Sequence, residues 1–103
     1  DLAIDYEQRR VTVAGRRVDL TAIEYELLRV LSTGGGRGST VDALLRQVWG
    51  GRRAGDPKLL RAFVKRLRHK LGDDAASPAY VFTERGVGYR MAAPGDPVDD
   101  PPA

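Results

Sequence analysis

Cysteine is absent from this chain of 103 residues, and histidine occurs only once. Without cysteine the chain has no disulfide bond and no thiolate metal site, which fits a reducing compartment. No apolar run approaches the roughly 20 residues that a membrane-spanning helix needs. A signal-peptide pattern is missing as well. We therefore expect no membrane contact and a cytoplasmic location.

Patterns that carry catalysis or hold cofactors are also missing. A Ser-His-Asp triad would have to use His69, but Ser32, Ser39 and Ser77 are distant in sequence and none belongs to a nucleophile-elbow motif. No glycine-rich segment matches a phosphate-binding strand-loop-helix pattern. We expect no enzymatic activity, no metal site and no cofactor.

Prolines and aspartates are concentrated at the C-terminal end. Four of the six prolines and three aspartates follow residue 93, with almost nothing to bury. The chain length is typical of a single domain. We expect one folded domain over residues 1–92 and a disordered tail over 93–103. The net charge is +3, so the folded part is more basic than the whole chain.

The segment 57–71 carries the most informative pattern. Asp56 is a good helix N-cap and Pro57 a good first helical residue. At about 100° per residue one narrow stripe is apolar; it contains Leu60, Val64, Leu67 and Leu71. The opposite face is cationic, and the segment holds six Lys or Arg residues and no Asp or Glu. Such a helix packs on a core and presents charge outward, and the DNA major groove admits one α-helix.

A solvated surface is the alternative explanation of that charge. Solvated helix faces usually mix signs, because like charges four residues apart repel each other. Arg61 and Lys65 form one such pair, and Arg66 and Lys70 form another, with no acid inside the helix to offset them. The pattern therefore favours a polyanionic partner without excluding the alternative.

The rest of the chain predicts a sheet, two further helices and a hairpin. Alternating residues over 2–20 indicate a small antiparallel meander, and Thr21 to Glu24 form a capping box that opens a helix. We expect Ile23, Leu27, Val30 and Leu31 to be its buried stripe, with Tyr25 and Leu28 at the margin. We attribute Glu24 and Glu26 to capping and exposure. Thr40 caps the second helix, which Gly50 ends, and Gly72 ends the third.

A β-hairpin follows the basic helix. Tyr80 to Thr83 are predicted as a strand, Arg85 to Gly88 as a turn that needs Gly86 and Gly88, and Tyr89 to Met91 as the returning strand. The predicted fold class is therefore α+β: a winged helix-turn-helix with an N-terminal antiparallel meander, three helices and a C-terminal hairpin wing.

The ordered motifs resemble the effector domain of OmpR/PhoB-type two-component response regulators. They are the segments 18–21, 24–28, 45–50, 66–71 and 83–90, and the resemblance covers about residues 2–92. It implies double-stranded DNA as partner, a preceding receiver domain that this chain lacks, and a bacterial, cytoplasmic transcription regulator. It also implies weak binding as a monomer, tandem dimers on DNA and RNA polymerase as a further partner.

The resemblance also implies roles for individual residues. Arg66 matches an arginine that reaches bases or lies deep in the major groove, and Arg85 matches a minor-groove contact. The predicted DNA-binding residues are Lys58, Leu59, Arg61, Ala62, Phe63, Lys65, Arg66, Arg68 and His69 on the helix, Thr83, Arg85, Gly86 and Tyr89 on the wing, and Trp49, Gly50, Arg52 and Arg53 in the loop, of which Arg52 and Arg53 contact either DNA or RNA polymerase.

Two positions depart from the pattern of the family. Phe63 stands where many members have a histidine, and Arg61 stands where they have an aspartate. Phe63 and Leu59 either contact a thymine methyl group or pack internally, and Arg61 adds a phosphate contact. These departures keep open the alternative of a winged-helix module that binds an acidic protein. A second alternative is a stand-alone activator, because such activators share this domain without a receiver domain.

Overall fold

The computed structural model describes residues 1–34, 37–53 and 56–92, with the backbone alone at 52 and 53. Strands and helices follow one another in the predicted order, with one additional short strand. The elements are β1 (Leu2–Asp5), β2 (Arg10–Val13), β3 (Arg16–Val18), α1 (Ala22–Thr33), β4 (Ser39–Thr40), α2 (Val41–Trp49), a 3₁₀ turn (Gly50–Arg53), α3 (Pro57–Leu71), β5 (Val81–Glu84) and β6 (Gly88–Met91).

The N-terminal sheet is the predicted antiparallel meander, in the order β1-β2-β3. Leu2 pairs with Val13 and Ile4 with Val11, so the alternating apolar residues share one face, which packs on the core. Ala14 and Gly15 connect β2 to β3 with φ angles of 51° and 80°. A two-residue loop with both φ angles positive matches the right-handed twist of the strands it joins.

Helix α1 begins with the predicted capping box. The Thr21 hydroxyl accepts from the Glu24 amide at 3.2 Å, and the Glu24 carboxylate accepts from the Thr21 amide at 2.8 Å. The buried stripe differs from the predicted one. Tyr25 and Leu28 are buried rather than marginal, whereas Ile23 is only half-buried. Core on two sides explains the difference, since α1 packs against both other helices and β6.

Helix α3 has the predicted ends and the predicted buried stripe. The Asp56 carboxylate accepts from the Leu59 amide at 3.2 Å, Pro57 is the first helical residue, and Gly72 follows the last turn with φ 73°. The four stripe residues Leu60, Val64, Leu67 and Leu71 are all buried. Thr40 caps α2 through the Ala43 amide, so the N-caps inferred from sequence define where all three helices begin.

The C-terminal sheet has three strands rather than a simple hairpin. The short strand β4 pairs with β6, which gives the order β4-β6-β5. Its two residues are too few to show a sequence period. The strands β5 and β6 also begin one residue away from the predicted positions, because Tyr80 lies before β5 and Gly88 belongs to β6.

Gly88 is therefore not a turn residue, and the prediction that placed it in the turn was wrong. Gly88 is buried in β6 and pairs with Thr40 of β4 and Glu84 of β5. A Cβ atom at this position would lie 2.0 Å from the carbonyl oxygen of Ser39. Glycine is required here because the backbone of β4 approaches too closely for any side chain.

Candidate nucleic-acid interface

The outward face of α3 is exposed and cationic, as the pattern predicted. Within this helix the exposed residues include Lys58, Arg61, Ala62, Lys65, Arg66 and His69. No described residue forms an ion pair with Lys58, Arg61, Lys65 or Arg66. A row of unneutralised cations on one rigid helix is a surface that attracts a polyanion.

Phe63 packs inside the domain and also supports Arg66. Its ring is half-buried and meets the Trp49 ring edge to face, with the centroids 5.2 Å apart. The guanidinium of Arg66 lies over the same Phe63 ring, with its carbon 5.0 Å from the ring centroid. A guanidinium stacked on a ring keeps its edge donors available for a bidentate acceptor. Packing thus explains Phe63, while its contact with thymine stays a prediction.

The other apolar residues and the loop contribute less clearly. Leu59 and Trp49 are half-buried, and Trp49 packs on the core. The amide of Gly50 donates to the carbonyl of Arg46 in the last turn of α2, so it is already used within the helix. The predicted contacts of Arg52 and Arg53 fall on side chains outside the described residues, and the predicted tail over 93–103 lies outside them too.

The wing presents its tip to solvent. The chain reverses between β5 and β6, where the Val87 amide donates to the Glu84 carbonyl at 3.0 Å and Gly86 has φ 75°. Arg85 and Gly86 are exposed, and so is half of Val87. Val87 is an exposed wing residue that is not among the predicted DNA-binding residues. The tip therefore offers one cation beside an apolar side chain.

Arg68 differs from the other predicted DNA-binding cations of α3 because its side chain donates hydrogen bonds within the domain. Its Nη2 donates to the Val81 carbonyl and to Thr83 Oγ1, both at 2.9 Å. Its guanidinium carbon lies 6.0 Å from the centroid of the Tyr89 ring. Thr83 Oγ1 acts as an acceptor from Arg68, which leaves the hydroxyl hydrogen of Thr83 available to donate to a phosphate.

Glu24 and Lys70 form an ion pair between α1 and α3. Lys70 Nζ donates to Glu24 Oε1 at 2.6 Å, and Glu24 is only 2% exposed. The prediction that Glu24 is exposed was therefore wrong, although its capping role is confirmed. Burial alone would raise the pKa of Glu24, but the hydrogen bonds from Lys70 and the Thr21 amide outweigh burial, so the pKa lies below its ordinary value of 4.5.

The stability of the domain should fall in acid partly because of Glu24. Since the folded pKa is depressed, its contribution is complete above about pH 5 and is lost as the pH falls from there through the folded pKa. We expect Glu24→Gln to cost about 1–2 kcal/mol at pH 7 and less near pH 3. Urea unfolding across this pH range measures the difference. The exposed Glu7→Gln is the control, and equal losses at both pH values would contradict the prediction.

Among residues 1–34, 37–53 and 56–92, no group of three or more His, Asp or Glu side chains is arranged to hold a metal ion. None of the helices in these ranges is long and apolar enough to cross a membrane.

Most of this chain matches one known protein family. A family described as "Transcriptional regulatory protein, C terminal" matches residues 15–91. The chain belongs to the OmpR/PhoB-type effector domains. The predicted family and the predicted winged helix-turn-helix fold are both confirmed.

The relatives of this effector domain include the proteins MtrA and RegX3. The DNA-binding response regulator MtrA of Mycobacterium tuberculosis is 40% identical over 94 residues, which cover 91% of this chain and 41% of MtrA. The sensory transduction protein RegX3 of Mycolicibacterium smegmatis is 40% identical over 88 residues, covering 85% of this chain and 39% of RegX3. The chain thus spans about two fifths of the length of these relatives.

Solved structures of effector domains superpose closely on this one. The Klebsiella pneumoniae RstA DNA-binding domain, solved in complex with the RstA box, has a TM-score of 0.82 and 34% identity, covering 88% of this chain and 90% of that one. The response regulator DrrB of Thermotoga maritima, an OmpR/PhoB homologue, has a TM-score of 0.81 and 32% identity, covering 90% of this chain and 42% of DrrB.

Proposed function

We propose that this effector domain binds double-stranded DNA in a sequence-specific manner and serves a two-component transcriptional response regulator. Helix α3 enters the major groove, and the wing around Arg85 reaches the adjacent minor groove. The observation that carries this proposal is the outward face of α3, where four cations lack an ion pair with any described residue. A helix of this width fits the major groove, and cations on it neutralise phosphates.

The contacts divide into positioning and reading. Lys58 and Lys65 are point charges on flexible stems and contact phosphates, which fix the register without reading sequence. Arg66 presents a planar fork that pairs with the O6 and N7 atoms of a guanine. Arg85 at the exposed tip enters the minor groove, where a narrow groove concentrates negative potential. DNA as the partner is supported by two relatives, the DNA-binding response regulator MtrA and the RstA DNA-binding domain in complex with the RstA box.

The remaining parts of the regulator extend the same proposal. This chain spans about two fifths of the length of its relatives. We therefore propose that the full regulator also has a phosphoacceptor receiver domain and that it acts in the cytoplasm. Two effector domains then bind tandem half-sites as a dimer, while one alone binds weakly. The turn Gly50–Arg53 contacts RNA polymerase or the DNA backbone. These partners are inferred from the family.

Salt dependence of duplex binding tests the proposal. With six to nine phosphate contacts, affinity should fall by about 10³ to 10⁵ between 50 and 200 mM salt. Replacing Lys65 by glutamine should reduce the slope of log K against log salt by about 1, equally for every sequence. The exposed Arg10→Gln on the N-terminal sheet is the matched control.

Two results would argue against DNA as the partner. The first is a salt slope that Lys65→Gln leaves unchanged, and the second is the same loss of affinity in the Arg10 control. Binding of acidic peptides in preference to duplex would favour the alternative of a protein-interaction module. The internal packing of Phe63 on Trp49 removes part of the reason for that alternative, since it accounts for one departure from the family.

A further inference from the structure

Strand β5 is an edge strand. Its outward backbone groups are hydrogen-bonded to the side chains of Arg68 in α3 and of Asp73 just after α3. β5 lies at the end of the sheet order β4-β6-β5. The Val81 amide donates to Asp73 Oδ2 at 2.9 Å, and the Val81 carbonyl accepts from Arg68. Since both groups of Val81 bind away from β6, the wing is attached to α3 along the edge that the sheet leaves open.

Asp73 extends this attachment toward the beginning of β5. Its Oδ1 accepts from the Ala79 amide at 2.7 Å, and its two oxygens lie 3.3–3.4 Å from the Tyr80 amide. The amide of Asp73 donates to the Arg68 carbonyl at 2.8 Å. Arg68 and Asp73 are therefore bonded to each other through the backbone and to the same strand through their side chains.

Arg68 adds a contact closer to the tip of the wing. Its guanidinium bridges the Val81 carbonyl and the Thr83 hydroxyl, which is two residues before Arg85. Arg68 is only partly exposed, unlike Lys65 and Arg66. A guanidinium that already donates to two acceptors has fewer donors left for a phosphate.

We propose that Arg68 is a positioning residue which, with Asp73, braces the wing against α3 and sets the distance between Arg66 and Arg85. This inference rests on the proposed function, because both grooves must be occupied at once. If α3 and the wing moved independently, ordering them on DNA would cost free energy at each binding event. A braced wing has its tip placed before DNA arrives.

The brace requires arginine rather than any cation. The planar fork reaches the Val81 carbonyl through Nε and Nη2 and the Thr83 hydroxyl through Nη2. A lysine keeps the charge but offers one nitrogen at the end of a flexible stem. A phosphate contact would tolerate that exchange far better than the brace does, so Arg68→Lys separates the two roles.

The test combines two measurements on Arg68→Lys. In the free domain, amide exchange over residues 81–91 should become about fivefold faster or more, as the wing opens locally. Affinity for a short duplex enriched by the domain from a randomised pool should fall about tenfold, the scale of one charged hydrogen bond. In an Arg85→Ala background the same change should cost less than about twofold, since the tip no longer contributes. Arg10→Lys is the matched control and should change neither.

The results that would overturn the brace differ from the result that would overturn DNA binding. Exchange and affinity equal to wild type would show a role for charge alone, and the brace would be wrong. Losses from Arg68→Lys and Arg85→Ala that multiply in the double variant would also overturn it. If the wild-type domain bound no duplex, the proposed function would fail, while the exchange measurement would still decide whether the brace exists. Thr83→Val, which removes one acceptor and keeps the shape, should raise exchange near the tip even if Arg68→Lys folds poorly.

Discussion

Replacing Gly88 by alanine should destabilise the domain by about 3 kcal/mol or more, at the upper end of the cost of overpacking. The added Cβ would lie 2.0 Å from the Ser39 carbonyl oxygen, 3.0 Å from its carbon and 3.1 Å from the Thr40 carbonyl carbon. All three neighbours are backbone atoms of β4, so no side chain can turn away. The contact is relieved only if β4 separates from β6, which breaks the pairing of Ser39 with Tyr89 and of Thr40 with Gly88.

Thermal unfolding followed by circular dichroism measures this loss. For a domain of this size about 1 kcal/mol corresponds to roughly 4–8 °C in Tm, so a decrease of more than about 12 °C is expected. Gly51→Ala is the matched control, because a Cβ there meets nothing within 4 Å, and its effect should stay within about 0.5 kcal/mol. Equal melting temperatures for Gly88→Ala and wild type would show that β4 and β6 are not held this closely.

The second large effect is expected for Arg66→Ala, in DNA recognition rather than stability. Arg66 is exposed on α3 and stacked on Phe63, which rests on Trp49. A bidentate pair with guanine contributes about 1–3 kcal/mol of discrimination, so affinity for the preferred site should fall about 10- to 100-fold. The preference should relax at one base pair only, because a single fork reads a single base.

Binding to a set of duplexes with every single base-pair change measures this preference. Lys65→Ala is the comparison on the same face, and it should weaken all duplexes by one common factor. The thermal stability of Arg66→Ala should remain near that of wild type, since its exposed guanidinium stacks on the Phe63 ring and forms no ion pair with a described residue. If Arg66→Ala weakened all duplexes equally, Arg66 would be a phosphate ligand and the reading role would belong to another residue.

Local signals in the sequence predicted most of the fold. The caps at Thr21, Thr40 and Asp56 and the glycine after α3 act within one helical turn, so their chemistry is readable from neighbouring residues. The apolar stripe of α3 repeats at the helical period and is buried as predicted. For the same reason the exposure of the cationic face followed from its position opposite the stripe.

Contacts between residues far apart in sequence could not be predicted in this way. Gly88 is explained by the backbone of β4, about fifty residues away, and β4 is too short to leave a pattern. Glu24 pairs with Lys70 across 46 positions, and the capping box concealed that second role. Arg68 is predicted from the sequence as a DNA contact, and its bonds to the wing could not be predicted because the acceptors belong to β5, whose distance from α3 no periodicity reveals.

Selection from a randomised pool of duplex DNA tests the central claim most directly. The domain would be immobilised at high density, so that neighbouring copies can bind adjacent half-sites, at about 150 mM salt to suppress purely electrostatic binding. The proposal predicts enrichment of a repeated half-site, with enrichment lost in Arg66→Ala and kept in the Arg10→Gln control. A pool that remained random after several rounds, although the domain is folded, would contradict sequence-specific DNA binding by this surface.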